Sequence, residues 1–467
     1  MPVFTKVNSP LSGSINARGD KSISHRSIMT ASLAQGTTEI HGFYASSDCM
    51  ATVNIFRALG VNIEETNSPS GEHIIKVQSK GLYGLKEPSD VLYAGNSATS
   101  ARLITGILAA QAFHSKIEGD GSLNKRTMKR IIDPLNEMGA NISSENGDNC
   151  CPLIIKGSRL YGIDYKSPAA SAQLKSALLF AALYAEGETV IEEPFLSRDH
   201  TERMFKRFNV NIYTEYKKEE EKSESLQEAL HIFGKKAKKE SIIRLIPGNV
   251  LRSDKIIIPG DFSSSAYLMT AALLIPGSEI VLKNVGINET RTGFLAVLKE
   301  MGADIDIISE NKLDEPAADL KVKYSALSLP ESGLIVEGSL IPALIDELPL
   351  IAVVAACCTG GMIIIKDAAD LKTKESDRIS ATVQNLKLMG ADITETEDGL
   401  IVRGGKKLHS PMDKNGNPAE IKTFGDHRIA MAFAVLSLCT DGNTLIDDTD
   451  CVSVSYPDFF RDLMSLM

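Results

Sequence analysis

Six Ala-rich apolar runs punctuate this chain, each opened by small or polar residues and closed near glycine. The first follows Gly19-Asp20-Lys21-Ser22, continues through Ile28–Ala34 and stops at Gln35-Gly36. The second opens at Gly95-Asn96-Ser97-Ala98, and the third at Ala170-Ser171-Ala172-Gln173, ending at Gly187. The fourth opens at Gly260-Asp261 and ends at Gly277. The fifth runs from Ile345-Asp346-Glu347 to Gly360-Gly361, and the sixth from Gly425-Asp426-His427-Arg428 to Gly442. Each run predicts a helix with a polar N-terminus; in the first, Asp20 or Ser22 is the candidate cap.

A second pattern lies downstream: an amphipathic segment, a turn at glycine, then a short apolar strand. It reads Phe56–Gly60, Leu135–Gly139, Phe205–Asn209, Leu298–Gly302 and Leu386–Gly390. Glycine fits a helix C-cap in the left-handed region, and Asn209 is its usual substitute. A sixth copy begins at Pro457-Asp458-Phe459-Phe460, and the sequence ends at Met467 before a matching strand, which leaves that strand open. The two patterns combine into a unit of strand, Ala-rich helix, strand, amphipathic helix and further strands. Its period of about 70–95 residues is too long for a simple solenoid. Six units in 467 residues predict two three-unit domains, 21–258 and 1–20 with 259–467, crossing near Ile258-Pro259-Gly260. The mixed-charge stretch from Thr214 to Ser241 breaks the pattern and reads as a solvated insertion in the third unit.

Composition narrows the class. Apolar content of 43% and charged content of 24% are those of a globular protein. No apolar run reaches the roughly 18–20 residues that span a bilayer. The first residues lack a signal or transit pattern, so a cytoplasmic and bacterial protein is expected. The seven Cys include two adjacent pairs, Cys150-Cys151 and Cys357-Cys358, with no metal-ligand spacing; they read as buried thiols in a reducing compartment. A net charge of −10 argues against nucleic acid, and the absence of Trp removes a base-stacking platform.

The charge at the helix openings points the other way. Lys21 and Arg26 stand at a helix N-terminus, against the macrodipole, where an anionic ligand is the natural partner. Arg102, Arg126 and Arg198 occupy comparable openings or glycine-flanked loops, and Asp346, Glu347, Lys374–Arg378 and Asp426–Arg428 follow in the second half. Alone, each also reads as a surface cation or a cap; the recurrence favours anion binding. Asp346 also fits a helix cap, and His427 a structural residue bonded to Asp426. Within the 374–378 stretch, Lys374 and Arg378 lie one helical turn apart and Glu375 shares the face of Arg378. Arginine suits a bidentate grip on carboxylate or phosphate, and a neighbouring Glu can exchange a proton. Walker, Rossmann, G-x-S-x-G and H-E-x-x-H patterns are missing from the sequence.

Together, Gly19–Arg26, Gly95–Arg102, Lys125–Met128, Ser171-Ala172-Gln173, Ser197–His200, Lys374–Arg378 and Asp426–Arg428 resemble the EPSP synthase family, the 3-phosphoshikimate 1-carboxyvinyltransferases. The resemblance spans nearly the whole chain. It implies a two-domain inside-out α/β barrel, each domain of three βαβαββ repeats. It also implies carboxyvinyl transfer from phosphoenolpyruvate to shikimate 3-phosphate in an interdomain cleft, with no cofactor or metal, by a monomer without nucleic-acid or membrane partners. Carried over by motif, shikimate 3-phosphate falls to Lys21, Ser22, Arg26, Ser171, Ala172, Gln173, Arg198, Asp346 and Lys374. Phosphoenolpyruvate falls to Lys21, Asn96, Ala98, Arg126, Gln173, Arg378 and Arg428. Asp346 is the implied base, Glu375 the implied acid, and Lys21 an aid to phosphate departure. Ala98 replaces the commoner Gly, and Val454-Ser455-Tyr456-Pro457 lacks the family's usual Lys; both resemble the glyphosate-tolerant class. The related sugar-nucleotide carboxyvinyltransferases place a Cys just before the loop arginine, whereas Gly121–Lys125 has none. A non-catalytic anion-binding relic of the fold is the other alternative, and the retained Asp346, Glu375 and arginines weigh against it.

Overall fold

The polar openings become helix caps. In a computed structural model of the chain, describing residues 3–67, 73–217, 240–311 and 314–467, the first apolar helix spans Lys21–Leu33 and is capped by Asp20, which accepts the Ile23 N–H at 2.8 Å. Ser97 caps Ala98–Leu108, Ser171 caps Ala172–Ala182, Asp261 caps Phe262–Leu274 and Asp426 caps His427–Ser437. The fifth helix departs from expectation. It spans Leu348–Cys357, and Asp346 does not cap it: Asp346 and Glu347 lie in a turn after the short helix Ile341–Leu344, with the Glu347 N–H donating to the Leu344 carbonyl at 2.9 Å. Pro349 near the helix start has no N–H to satisfy, so a side-chain cap matters less there.

The amphipathic segments form Ser47–Ala58, Lys129–Glu137, His200–Arg207, Gly293–Glu300, Arg378–Leu388 and Phe459–Met464. Their turns sit in the left-handed region as the sequence predicts, with φ of 83° at Gly60, 96° at Gly139, 68° at Asn209, 89° at Gly302 and 85° at Gly390. One boundary corrects a sequence expectation. The helix begins at Arg378 because Asp377 caps it through the Ser380 N–H at 3.0 Å, so Lys374 and Glu375 stand in the preceding loop, not one turn away on the same helix.

Three repeats build the same four-stranded sheet. In the second repeat, Leu92–Tyr93 pairs parallel with His114–Glu118, which pairs antiparallel with Leu153–Lys156, leaving Asn141–Ser144 at the edge. The third and fifth repeats follow this order. The first and fourth exchange their leading strands. Ser12–Asn16, which precedes the first helix, pairs with Glu279–Gly286 of the fourth repeat, while Lys255–Ile257 pairs with Gln35–His41 of the first. In the sixth repeat Val3–Thr5 runs antiparallel to Asn443–Ile446, with Val3 opposite Leu445, in the place Leu153–Lys156 takes in the second repeat; among the described residues this sheet has three strands and no counterpart of the edge strand Asn141–Ser144.

The described residues fall into two units, one of 19–217 and 240–259, the other of 3–18 and 260–467. The charged insertion lies largely at 218–239, outside the described residues; the residues flanking it, Asn211–Lys217 and Glu240–Ile246, form an antiparallel pair. Each unit is an inside-out α/β barrel: apolar helices fill the interior and one face of each sheet covers them. Along His73–Lys80, Ile75 and Val77 are fully buried while Lys76 points out. In the 19–259 unit the helices Ala98–Leu108 and Ala172–Ala182 approach so closely that a Cβ on Gly106 would lie 2.1 Å from the Ala177 carbonyl oxygen. Cys49, Cys151 and Cys358 are buried, whereas the other four Cys are half-buried, and no disulfide forms. Among the described residues no single helix is long and apolar enough to cross a membrane.

Candidate functional site

In the 19–259 unit, helix caps and short loops bring the sequence candidates to the N-terminal ends of the three apolar helices. Lys21 begins the first helix and pairs with Asp48. Arg26, one turn on, is buried. Its Nε donates to Thr201 Oγ1 at 2.8 Å, one Nη to Ser176 Oγ at 2.9 Å and the other to the Ser22 carbonyl at 3.0 Å. Those bonds lock Arg26 to two other helices and fix the backbone of Ser22.

At the second helix, Asn96 bridges two loop residues. Its Nδ2 donates to Asp120 Oδ2 at 2.8 Å and its Oδ1 accepts from Arg126 at 2.9 Å; Arg126 also donates to Ser122 Oγ at 3.1 Å. Ala98, half-buried, is the first residue of that helix. Arg102 donates to Gln173 Oε1 at 2.7 Å and to the Thr127 carbonyl at 3.1 Å, and Gln173 Nε2 donates to Thr99 Oγ1 at 3.1 Å. Ser171, Ala172 and Gln173 thus open a helix that is tied to its neighbour, while Arg198 is half-buried in the loop before His200–Arg207.

Behind these openings lies polar support that the sequence did not single out. His25 Nδ1 meets Thr52 Oγ1 at 2.7 Å, Thr52 meets Ser100 at 2.7 Å, and Ser100 donates to Ser97 at 2.8 Å. Burial holds the His25 pKa well below the usual 6.5, with Lys21 and Arg26 adding to the effect. Cys49, under Lys21, is pushed up to about 12 by burial. Lys175 pairs with Glu193 and Glu202, each at 2.8 Å, inside the protein.

The other unit carries the carboxylates. Arg378 is buried and at their centre: Nε to Asp426 at 2.8 Å, one Nη to Glu375 at 2.5 Å and the other to Asp346 at 3.3 Å. Burial and the nearby Arg428 would lower the Arg378 pKa, but the carboxylates around it, Asp426 and Glu375 foremost, raise it. Asp426 is also fully buried; burial favours its neutral form, yet Arg378 holds its pKa below the usual value. Arg428 approaches Asp346 at 3.5 Å and Glu347 at 3.6 Å. Glu347 in turn accepts from Ser263, whose oxygen accepts from Arg291 at 2.7 Å. Lys374 stands next to Glu375 in the loop before the Arg378 helix.

The structure therefore gathers Asp346, Glu375, Arg378 and Arg428 into one cluster, and places Lys21, Ser22, Arg26, Asn96, Ala98, Arg126, Ser171, Ala172, Gln173 and Arg198 on the helix openings of the other unit. Sequence reading missed Arg291. A signal existed: Arg126, Arg198 and Arg291 all occupy the loop leading into an amphipathic helix, and Arg378 is the first residue of another. Among the described residues no group of three His, Cys, Asp or Glu is placed to hold a metal ion.

Comparison with known proteins agrees over nearly the whole chain. The family model for EPSP synthase (3-phosphoshikimate 1-carboxyvinyltransferase) matches residues 5–234 and 221–463. A 3-phosphoshikimate 1-carboxyvinyltransferase of Desulforamulus reducens is 45% identical over 96% of this chain and 95% of its own length. One from Bacillus velezensis is 44% identical over 99% of this chain and 98% of its own. A solved structure of EPSP synthase from Acinetobacter baumannii superposes with a TM-score of 0.80 at 39% identity, covering 99% of this chain and 97% of that one. With the repeat architecture, the arginine-lined helix openings and this full-length similarity in agreement, the chain belongs to the EPSP synthase family.

Proposed function

We propose that this protein transfers the carboxyvinyl group of phosphoenolpyruvate to the 5-hydroxyl of shikimate 3-phosphate and releases phosphate, a step of the shikimate pathway to aromatic amino acids. The observation that carries the mechanism is Arg378, which holds Asp346 and Glu375 on its two terminal nitrogens. Two carboxylates fixed on one guanidinium suit a reaction that removes one proton and adds another. In this reading Asp346 takes the 5-hydroxyl proton as the oxygen attacks C2 of phosphoenolpyruvate, and Glu375 delivers a proton to C3. The tetrahedral intermediate so formed carries a methyl group. It collapses as C2 loses phosphate and C3 returns a proton, restoring the double bond; Lys21 helps neutralise the departing phosphate.

The substrates are anions, and the cations are distributed to match. Lys21, Ser22, Arg26, Ser171, Ala172, Gln173, Arg198, Asp346 and Lys374 hold shikimate 3-phosphate; Lys21, Asn96, Ala98, Gln173, Arg126, Arg378 and Arg428 hold phosphoenolpyruvate. Binding two like-charged reactants in an oriented pair offsets both their repulsion and the entropy of bringing them together. The Ala98 methyl, at the first turn of its helix, crowds an inhibitor longer than phosphoenolpyruvate, so glyphosate inhibits weakly and Ala98→Gly strengthens the inhibition. Potent inhibition of the unaltered protein, unchanged by Ala98→Gly, would contradict this.

The deciding experiment measures phosphate release from phosphoenolpyruvate with shikimate 3-phosphate or UDP-N-acetylglucosamine as acceptor. Release with shikimate 3-phosphate alone is expected, and Glu375→Gln lowers turnover by roughly 10²–10⁴-fold with acceptor affinity retained. Release with the sugar nucleotide alone, or with neither, overturns the reading.

A further inference from the structure

The buried ions of the 19–259 unit are the least explained feature of the molecule. Lys175, Glu193 and Glu202 come from a helix, a strand end and a second helix, and their side chains are 1%, 1% and 3% exposed. Two carboxylates and one ammonium in the interior are an expensive way to stabilise a fold, since apolar side chains of the same volume do as well or better. What the ions touch is more informative. Glu193 Oε1 accepts the Ser171 N–H at 3.3 Å and the Ser197 hydroxyl at 2.7 Å. Lys175 Nζ donates to Glu193 at 2.8 Å and reaches the Ser197 carbonyl at 3.4 Å. Ser171 caps the third apolar helix, and Ser197 immediately precedes Arg198. One polar node therefore holds two separate acceptor-facing segments at their backbones.

We propose that Lys175, Glu193 and Glu202 are positioning residues that set the Ser171 cap and the Ser197-Arg198 loop at the spacing required by the phosphorylated acceptor. This rests on the acceptor assignment above. Glu193 is the centre: it is shared by both segments, and Lys175 joins it to Glu202 on the helix that follows the loop. The node touches none of the segments assigned to phosphoenolpyruvate except through Gln173, two residues from Ser171.

The test is steady-state kinetics of Glu193→Gln, with calorimetric titration of shikimate 3-phosphate. Glutamine keeps an acceptor oxygen but removes the charge that binds Lys175. The KM and the Kd for shikimate 3-phosphate are expected to rise roughly tenfold while the KM for phosphoenolpyruvate stays within about twofold, because displaced binding groups penalise only the ligand they hold. Ser197→Ala, which deletes one hydroxyl and leaves the ions paired, gives a smaller rise in the same constants and serves if Glu193→Gln does not fold. Unchanged acceptor constants in a folded variant, or equal losses for both substrates, would overturn the proposal. Failure of the unaltered protein to bind shikimate 3-phosphate would instead remove the acceptor assignment, and this proposal with it.

Discussion

The two units support their site arginines differently. In the 19–259 unit Arg26 donates to hydroxyls and a carbonyl, Arg102 to an amide oxygen and a carbonyl, and Arg126 to an amide oxygen and a hydroxyl. In the other unit Arg378 meets three carboxylates and Arg428 two. A neutral acceptor orients a guanidinium without cancelling its charge; a carboxylate orients it and cancels it. The hydroxyls, amide oxygens and carbonyls around the first set fix where each guanidinium points, and the carboxylates around Arg378 and Arg428 keep proton-exchanging groups in register on two cations assigned to phosphoenolpyruvate. Ion pairs occur in the 19–259 unit as well: Lys21 with Asp48, Arg203 with Asp199 and Arg207 with Asp254.

Breaking one support of each kind measures that difference. Arg378→Met leaves Asp426 buried without its main counter-charge and should cost about 3–5 kcal/mol in denaturant unfolding, besides abolishing turnover. Overpacking the contact beneath Gln173 comes next. Gly106→Ala drives a methyl into the Ala177 carbonyl and should cost about 1–3 kcal/mol, measured the same way, with acceptor binding weakened because the two helices carry Thr99, Arg102 and Gln173. Arg102→Met removes the bonds to the Gln173 amide oxygen and the Thr127 carbonyl and should cost only about 1 kcal/mol. If it matches Arg378→Met, the contrast between the units is wrong.

The smallest effect concerns pH. His25 is neutral in the folded unit, whereas in the unfolded chain it binds a proton near pH 6.5. The unfolded state then holds more protons, so stability is present above pH 6.5 and falls as the solution is acidified toward the lower folded value. Between pH 7 and 6 the His25 contribution is a loss of roughly 0.7 kcal/mol. Unfolding curves of His25→Gln should lack this part of the pH slope; an unchanged slope would mean that His25 does not titrate on unfolding.

Much of the architecture was written locally. Asp20, Ser97, Ser171 and Asp261 cap helices where polar residues precede apolar runs, and Gly60 through Gly390, with Asn209, end helices in the left-handed region. Caps and left-handed turns involve atoms a few residues apart, so short sequence windows contain their causes. The arginine-bearing motifs were legible for the same reason, each being a helix opening or a loop next to one. Lys374–Arg378 was misread as one helix because Asp377 competes as a cap, a choice that a charge spacing does not reveal.

What remained was decided between segments far apart in the chain. The exchange of Ser12–Asn16 with Lys255–Ile257, and the use of Val3–Thr5 beside Asn443–Ile446, are strand pairings whose energy lies in hydrogen bonds to distant partners. Asp346 acquired Arg378 from the second helix of its own repeat and Arg428 from the sixth, and Lys175 two carboxylates from other elements, by packing alone. The sequence by itself determined five of the six capped helix openings and the charges beside all six, because capping and periodicity are local. Only the tertiary structure decided which strand completes which sheet and which charges face each other, because those choices depend on burial.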